Sequence, residues 1–220
     1  MESRLYDLIK HTDFDVLFQT KGYAYFKEGD YNLNIIGVRN LLDAKKIPGT
    51  NKVTNVQRDK FDDALIVTLK INGVWKRYVW EATTDPSLKL IKAPSNSKGT
   101  AILVPDQYRG VYKKDMHNGK YLAVCQRNGV VKVYRDSNKD NVLDMDPAKI
   151  DTGYFGINIH RASAYSDSET IGAYSAGCQV FHYKKDFDTF MELIDKAIAK
   201  YGNKFTYTLL TTDDILVSNK

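Results

Sequence analysis

Two cysteines in 220 residues, Cys125 and Cys178, do not make a disulfide framework. No Cys/His set has the spacing of a zinc site. Long apolar runs are also missing: no segment approaches the roughly 20 apolar residues of a membrane span. The first residues, Met-Glu-Ser-Arg-Leu-Tyr-Asp-Leu-Ile-Lys, lack a basic start followed by an apolar run, so no signal peptide is visible. Charge of one sign is not concentrated anywhere. The net charge is only +5 and the basic residues are spread along the chain, which reads as solvated surface rather than a nucleic-acid patch. Internal repeats and low-complexity tracts are absent.

What is present suits a β-rich globular chain. Hydrophobic residues make up 43% of it, enough for a sizeable core. Residues 2–10 suit a short helix, with Leu5, Leu8 and Ile9 on one side. Val16-Leu17-Phe18, residues 23–26 and residues 31–39 read as strands, with Leu33, Ile35 and Gly37 sharing a face of the third. Residues 40–60, with Pro48-Gly49, read mostly as loop. The clearest hairpin runs from Ala64 to Glu81, two β-rich arms flanking Asn72-Gly73. A second hairpin is expected around Asn128-Gly129, from arms at 121–126 and 130–134. Residues 101–110 resume strand character. Late in the chain, Phe187, Phe190, Met191, Ile194, Ala197, Ile198 and Tyr201 recur at helical spacing, with Asp186 to cap the start and Gly202 to stop it. Residues 205–210 form a final strand. The pattern predicts an α+β fold, predominantly β. A polar stretch at 83–99 makes a soft boundary between a β-rich region, 1–95, and a site-bearing region, 96–220, packed as one unit.

The chemistry gathers between residues 153 and 182. His160 closes the run Phe155-Gly-Ile-Asn-Ile, and Cys178 follows Ser175-Ala-Gly177, with fourteen residues between His160 and Ser175. A thiol has an unperturbed pKa of about 8.5, and an adjacent imidazole can lower it or take its proton. Gly177 lets the backbone turn so that N–H groups at 177 and 178 face a developing oxyanion. His182 is a competing base on the same strand face as Cys178. His11 and His117 read as surface residues, and Cys125 as a small buried hydrophobe. The partner that fixes the His160 tautomer is a backbone carbonyl, Asn158 or Ser163.

The order His160, fourteen residues, Ser175-Ala-Gly177-Cys178 resembles the catalytic signature of the L,D-transpeptidase (YkuD-like) domain. That resemblance implies a mixed β-sandwich or barrel and a cysteine enzyme that cleaves or exchanges peptide bonds in peptidoglycan stem peptides. Cys178 would be its nucleophile, His160 its base, Ser175 and Gly177 its catalytic turn, with no cofactor required. Arg161, Tyr154, Arg109 and Tyr174 are candidates for gripping a substrate carboxylate or packing on the stem peptide. The chain departs from the family pattern at Ala176, commonly His, at Val180, commonly Arg or Asn, and at Gln107, where a neighbouring strand carries glycine. The phrases Tyr31-Asn-Leu-Asn-Ile-Ile-Gly-Val-Arg39 and Phe155-Gly-Ile-Asn-Ile-His-Arg161 are also similar to uncharacterised proteins of Bacteroides-type bacteria and their phages. An enzyme of this kind would act at the cell wall after release or as part of a virion. The alternative is a phage or bacterial structural protein that keeps the fold without turnover.

A second constellation is the acidic run Asp136, Asn138, Asp140, the Val142 carbonyl and Asp144. Oxygens at alternate places resemble the start of a calcium loop, which makes these five candidate ligands for structural calcium. Asn141 stands where an EF-hand has Gly, and Pro147 where the bidentate Glu belongs. The other reading is a solvated acidic turn.

Overall fold

The computed structural model describes residues 4–42, 44–46, 52–54, 59–165 and 167–218. The chain opens with two short helices, α1 (Arg4–His11) and α2 (Phe14–Thr20). The expected start of α1 at Glu2 lies outside the described residues. Helix α2 replaces the strand read at Val16-Leu17-Phe18. The Asp13 carboxylate caps it by accepting from the N–H groups of Asp15 and Val16, and Phe14, Leu17 and Phe18 then share one buried side. Residues 23–26 form no strand either. The Gln107 side-chain amide bonds both backbone groups of Ala24, and the Asn34 amide does the same for Phe26. Side chains satisfy there what a ladder would have satisfied.

The strands follow as β1 (Asn34–Arg39), β2 (Lys45–Lys46), β3 (Lys52–Thr54), β4 (Asp63–Ile71) and β5 (Val74–Thr83). After α3 (Leu88–Lys92) come β6 (Thr100–Leu103), β7 (Gln107–His117), β8 (Tyr121–Gln126), β9 (Val131–Asp136), β10 (Leu143–Asp144), β11 (Ile150–Gly153), β12 (Ile159–Arg161) and β13 (Gln179–Phe181). The last elements are α4 (Lys184–Tyr201), β14 (Phe205–Thr211) and α5 (Thr212–Ser218). Strands β2 and β3 fall in the stretch read as loop, whose Pro48-Gly49 lies outside the described residues. The fold is α+β and predominantly β.

Eight strands close a barrel in the order β1-β14-β7-β8-β12-β13-β5-β4, beside two three-stranded sheets, β10-β3-β2 and β11-β9-β6. The barrel takes β1, β4 and β5 from before residue 96 and its other strands from after it, so one sheet spans the boundary at 95. The β4–β5 hairpin turns at Asn72-Gly73, both residues at positive φ (51° and 74°), as a two-residue turn matching strand twist requires. The hairpin expected at Asn128-Gly129 does not form. Strand β8 belongs to the barrel, whereas β9 pairs with β6 and β11 in another sheet. The partner of β8 is β7, joined through Asn118-Gly119.

Inside the barrel, Leu65, Val67, Tyr112, Ile159, Phe181 and Tyr207 form the main core, together with the Phe187, Phe190, Leu193, Ile194 and Ala197 face of α4. Asp186 lies in the first turn of α4 without capping it, because Tyr183 holds the N-cap position. Gly202 ends the helix at φ 81°. Outside the barrel, Leu5, Ile9, Phe14, Leu17, Phe18 and Ile215 from α1, α2 and α5 cover Ile36, Val38, Ala64, Ile66 and Leu210. Gly37, on the inward face, leaves room for the Tyr207 hydroxyl that a Cβ would overlap.

Candidate active site

Strands β12 and β13 run parallel, with His160 opposite Val180 and Ile159 opposite Gln179. Alternation sends Ile159 and Phe181 into the barrel core. Val180 faces the other way, into a small cluster of Phe61, Ala162 and Ile171 against which Cys178 packs. His160, in register with Val180, shares that outer face with Cys178. Cys178 lies two residues before Val180, just ahead of β13. The thiol is half-buried. Its Sγ accepts from the Asn158 N–H at 3.4 Å and donates to the Gly156 carbonyl at 3.5 Å. His160 Nε2 is buried and makes no hydrogen bond, so no thiol–imidazole bond is present.

The turn before the sulfur is held from several sides. Ser175 is fully buried, and its Oγ donates to the Cys178 carbonyl at 2.9 Å while accepting from the Gly177 N–H at 3.2 Å. The Ser175 carbonyl accepts from the Ser87 N–H at 2.8 Å, just ahead of α3. Gly177 lies at φ 116°, and a Cβ there would overlap the Ala101 carbonyl of β6, so glycine is required twice over. Gln179 donates to the Gly177 carbonyl at 3.1 Å and accepts from the Tyr207 hydroxyl at 2.7 Å. Because Ser175 engages the Gly177 N–H, that group is not the oxyanion donor read from the sequence. The Cys178 N–H is the donor left beside the sulfur.

His160 is 3% exposed. Its Nδ1–H donates to the Arg161 carbonyl at 2.8 Å, and the Tyr121 hydroxyl donates to the same carbonyl at 3.2 Å. A backbone carbonyl is therefore the tautomer-fixing partner. Burial, with the charge of neighbouring His117 second, lowers the His160 pKa to about 3. Burial pushes the Cys178 thiol up to about 11, against a smaller lowering by the Asn158 N–H bond. At rest the site thus holds a neutral thiol and a neutral imidazole, where the sequence suggested a thiol activated downward.

The other histidines divide. His11 is exposed, as read. His182 has both ring nitrogens engaged, Nδ1 with Glu81 at 2.9 Å and Nε2 with the Ser168 carbonyl at 2.8 Å, and it stacks on Phe61, so it is no competing base. His117, read as surface, is buried and stacks on His160 with centroids 4.1 Å apart. It and Tyr121 are the residues the sequence reading missed. The available signal was the Asn118-Gly119 turn that folds one back beside the other. Cys125 is fully buried.

Of the proposed substrate contacts, three lie on the chain segments 153–161 and 174–178 that carry His160 and Cys178. Arg161 lays its guanidinium over the Tyr121 ring at 4.2 Å. Tyr154 is 64% exposed and lines a cavity of about 250 Å³ with Phe155, Arg135, Thr100 and Ala176. That cavity touches both chain segments flanking the sulfur contacts. Tyr174 directly precedes the buried Ser175. Arg109 is exposed on β7, three strands from β13, and the structure does not bring it to the site. A larger open groove of about 690 Å³, lined by Trp75, Tyr25 and Lys70 among others, sits at the β4–β5 hairpin, remote from Cys178.

In the acidic run, the Asn138 amide donates to Asp140 and Asp144, both at 3.0 Å, and Asp140 accepts from the Val142 N–H at 2.7 Å. The Asp136 carboxylate accepts from the Asp144 N–H at 3.3 Å. Among the described residues no group of three or more His, Cys, Asp or Glu side chains is placed to hold a metal ion. No described helix is long and apolar enough to cross a membrane. Comparison of the chain with known protein families, curated proteins and solved structures gives no match.

Proposed function

We propose that this chain is a cysteine-dependent acyl-transfer enzyme acting on peptidoglycan stem peptides, with a barrel of the L,D-transpeptidase-like kind. The observation that carries the reading is the His160 ring, which has its proton committed to the Arg161 carbonyl and a bare, buried Nε2 on the sheet face that also carries Cys178. In the proposed cycle, Nε2 takes the Sγ proton as sulfur attacks a peptide carbonyl. A C–S bond forms and the carbonyl electron pair moves to oxygen, where the Cys178 N–H meets it. Collapse breaks the C–N bond, and the proton on Nε2 leaves with the amine. The thioester then passes to water, giving a carboxylate, or to an amine, giving a new peptide bond. Each branch restores the thiol. The cavity beside Ala176 would receive part of the donor peptide, with Tyr154 at its rim. The proposed chemistry needs no cofactor. The site of action would be the cell wall, reached after release or in a virion.

A neutral pair suits this scheme when proton transfer and attack occur together, after substrate has displaced water from the site. The same pair also favours the second reading, a structural protein without turnover, because the thiol points to the Gly156 carbonyl and apolar Val180 stands where the family commonly has Arg or Asn. Incubation with purified muropeptides, followed by mass spectrometry, separates the two. Products that are absent with Cys178→Ala, and reduced about a hundredfold or more with His160→Ala, support the enzyme. Unchanged muropeptides leave the structural reading.

A further inference from the structure

We infer that His117 and Tyr121 are positioning residues that hold the His160 imidazole with its proton on Nδ1 and its Nε2 open as an acceptor. What that acceptor does rests on the acyl-transfer reading, but how the ring is held rests on geometry alone. The β7–β8 hairpin sets His117 directly opposite Tyr121. One face of the His160 ring is covered by His117, with centroids 4.1 Å apart and planes 23° apart. His117 is oriented in turn by the Asn158 amide, which donates to its Nδ1 at 3.0 Å, while Asn158 Oδ1 accepts from the Gln126 N–H at 3.0 Å.

Tyr121 acts on the edge of the ring. Its hydroxyl lies 3.3 Å from His160 Nδ1 and donates to the Arg161 carbonyl, the acceptor that Nδ1–H also uses. A carbonyl oxygen has two lone pairs, so it takes both donors. The Arg161 guanidinium, 4.2 Å over the Tyr121 ring, keeps that ring in place. Moving the imidazole proton to Nε2 would set the Nδ1 lone pair against the carbonyl at 2.8 Å and leave Nε2–H buried without an acceptor. With the ring held in this seat only one tautomer fits, and His117 and Tyr121 are what hold it there.

The test is ¹⁵N NMR of histidine-labelled full-length protein, which reports the tautomer without requiring activity. The wild type should show His160 solely as the Nδ1–H form. Tyr121→Phe keeps the ring beneath Arg161 but removes the hydroxyl, and His117→Ala removes the covering plane. Each should give a mixture of tautomers. His117→Phe restores a flat ring and should restore the single form, a rescue that a merely structural role would not produce. Circular dichroism first establishes that each variant is folded. If His160 stays wholly Nδ1–H in both Tyr121→Phe and His117→Ala, the positioning role is overturned. If the variants lose the tautomer while the wild type leaves muropeptides intact, the positioning role stands and the acyl-transfer reading falls. If the wild type is active, kcat should drop roughly tenfold or more in Tyr121→Phe with KM little changed.

Discussion

Cys178 and His160 are each neutral at rest, and that sets the pH behaviour of the site. With the thiol pushed up to about 11, iodoacetamide labelling of native Cys178 should be slow at pH 7 and climb about tenfold per pH unit towards pH 10 without a plateau. Cys125 is fully buried and should label more slowly still. A plateau near neutral pH would mean a thiolate–imidazolium pair instead. For His160 the acidic side is decisive. A base with pKa about 3 stays unprotonated through the usual histidine range, so kcat/KM should show no inflection near pH 6.5. Gly177→Ala forces a Cβ onto the Ala101 carbonyl at a φ that disfavours side chains, and should cost at least about 1 kcal/mol. Calorimetry would read that as a fall of about 2–4 °C or more in Tm. The local motif was legible in the sequence because nucleophile, turn glycine and histidine lie within nineteen residues of one another, from His160 to Cys178. The Asn118-Gly119 turn could have paired His117 with Tyr121, but their nearness to His160 was not legible, because it depends on β8 pairing with β12, a long-range fact that no local pattern carries.

Among the elements, those with a strong local signal were readable. Asn72-Gly73 gave the β4–β5 hairpin, and seven apolar residues at helical spacing gave α4. The short apolar run at 16–18 reads as a strand by itself, but such a run suits a helix as well, and the Asp13 cap makes it one. The two arms around Asn128-Gly129 read as partners because they are close in sequence, but each had a better partner in a different sheet. The segment at 23–26 shows a third kind of failure. Its extended backbone is bonded by the side chains of Gln107 and Asn34, which strand propensity does not weigh. Replacing Asn34, which is 3% exposed, with Leu would leave the Phe26 N–H and carbonyl without their partners. The expected loss is about 1–3 kcal/mol, measurable by urea unfolding as a lower midpoint with an unchanged slope. A midpoint like the wild type's would show that water replaces the amide there.

At the scale of the whole molecule, the barrel is tied to its neighbours by a buried charge cluster. Arg39 is fully buried at the end of β1, paired with Asp85 at 2.8 Å, and it donates to the carbonyls of Leu103 and Thr84, both at 3.0 Å. Asp63 accepts from Asn40 and Thr84 nearby. Arg39→Met should cost about 3–5 kcal/mol, since it strands a carboxylate in the core. Burial, and then the charge of Asp85, raise the Asp63 pKa to about 7. The folded state thus holds this proton more tightly than the unfolded chain, which releases it near pH 4. The contribution of Asp63 to stability is present at low pH and is lost as pH rises towards 7. Asp63→Asn should therefore flatten the fall in Tm between pH 5 and 8, and parallel curves for variant and wild type would remove Asp63 as the cause. Barrel closure also sets a schedule for folding. Strand β1 lies between β4 and β14, with Ile35 beside Tyr207, about 170 residues further along the chain. A ribosome must therefore release the chain through β14 before β1 can gain its second neighbour. Until then β1 exposes an unpaired edge with Ile35, Ile36 and Val38 on it, and His160 on β12 and Cys178 just ahead of β13, in the same ring, wait on the same late event.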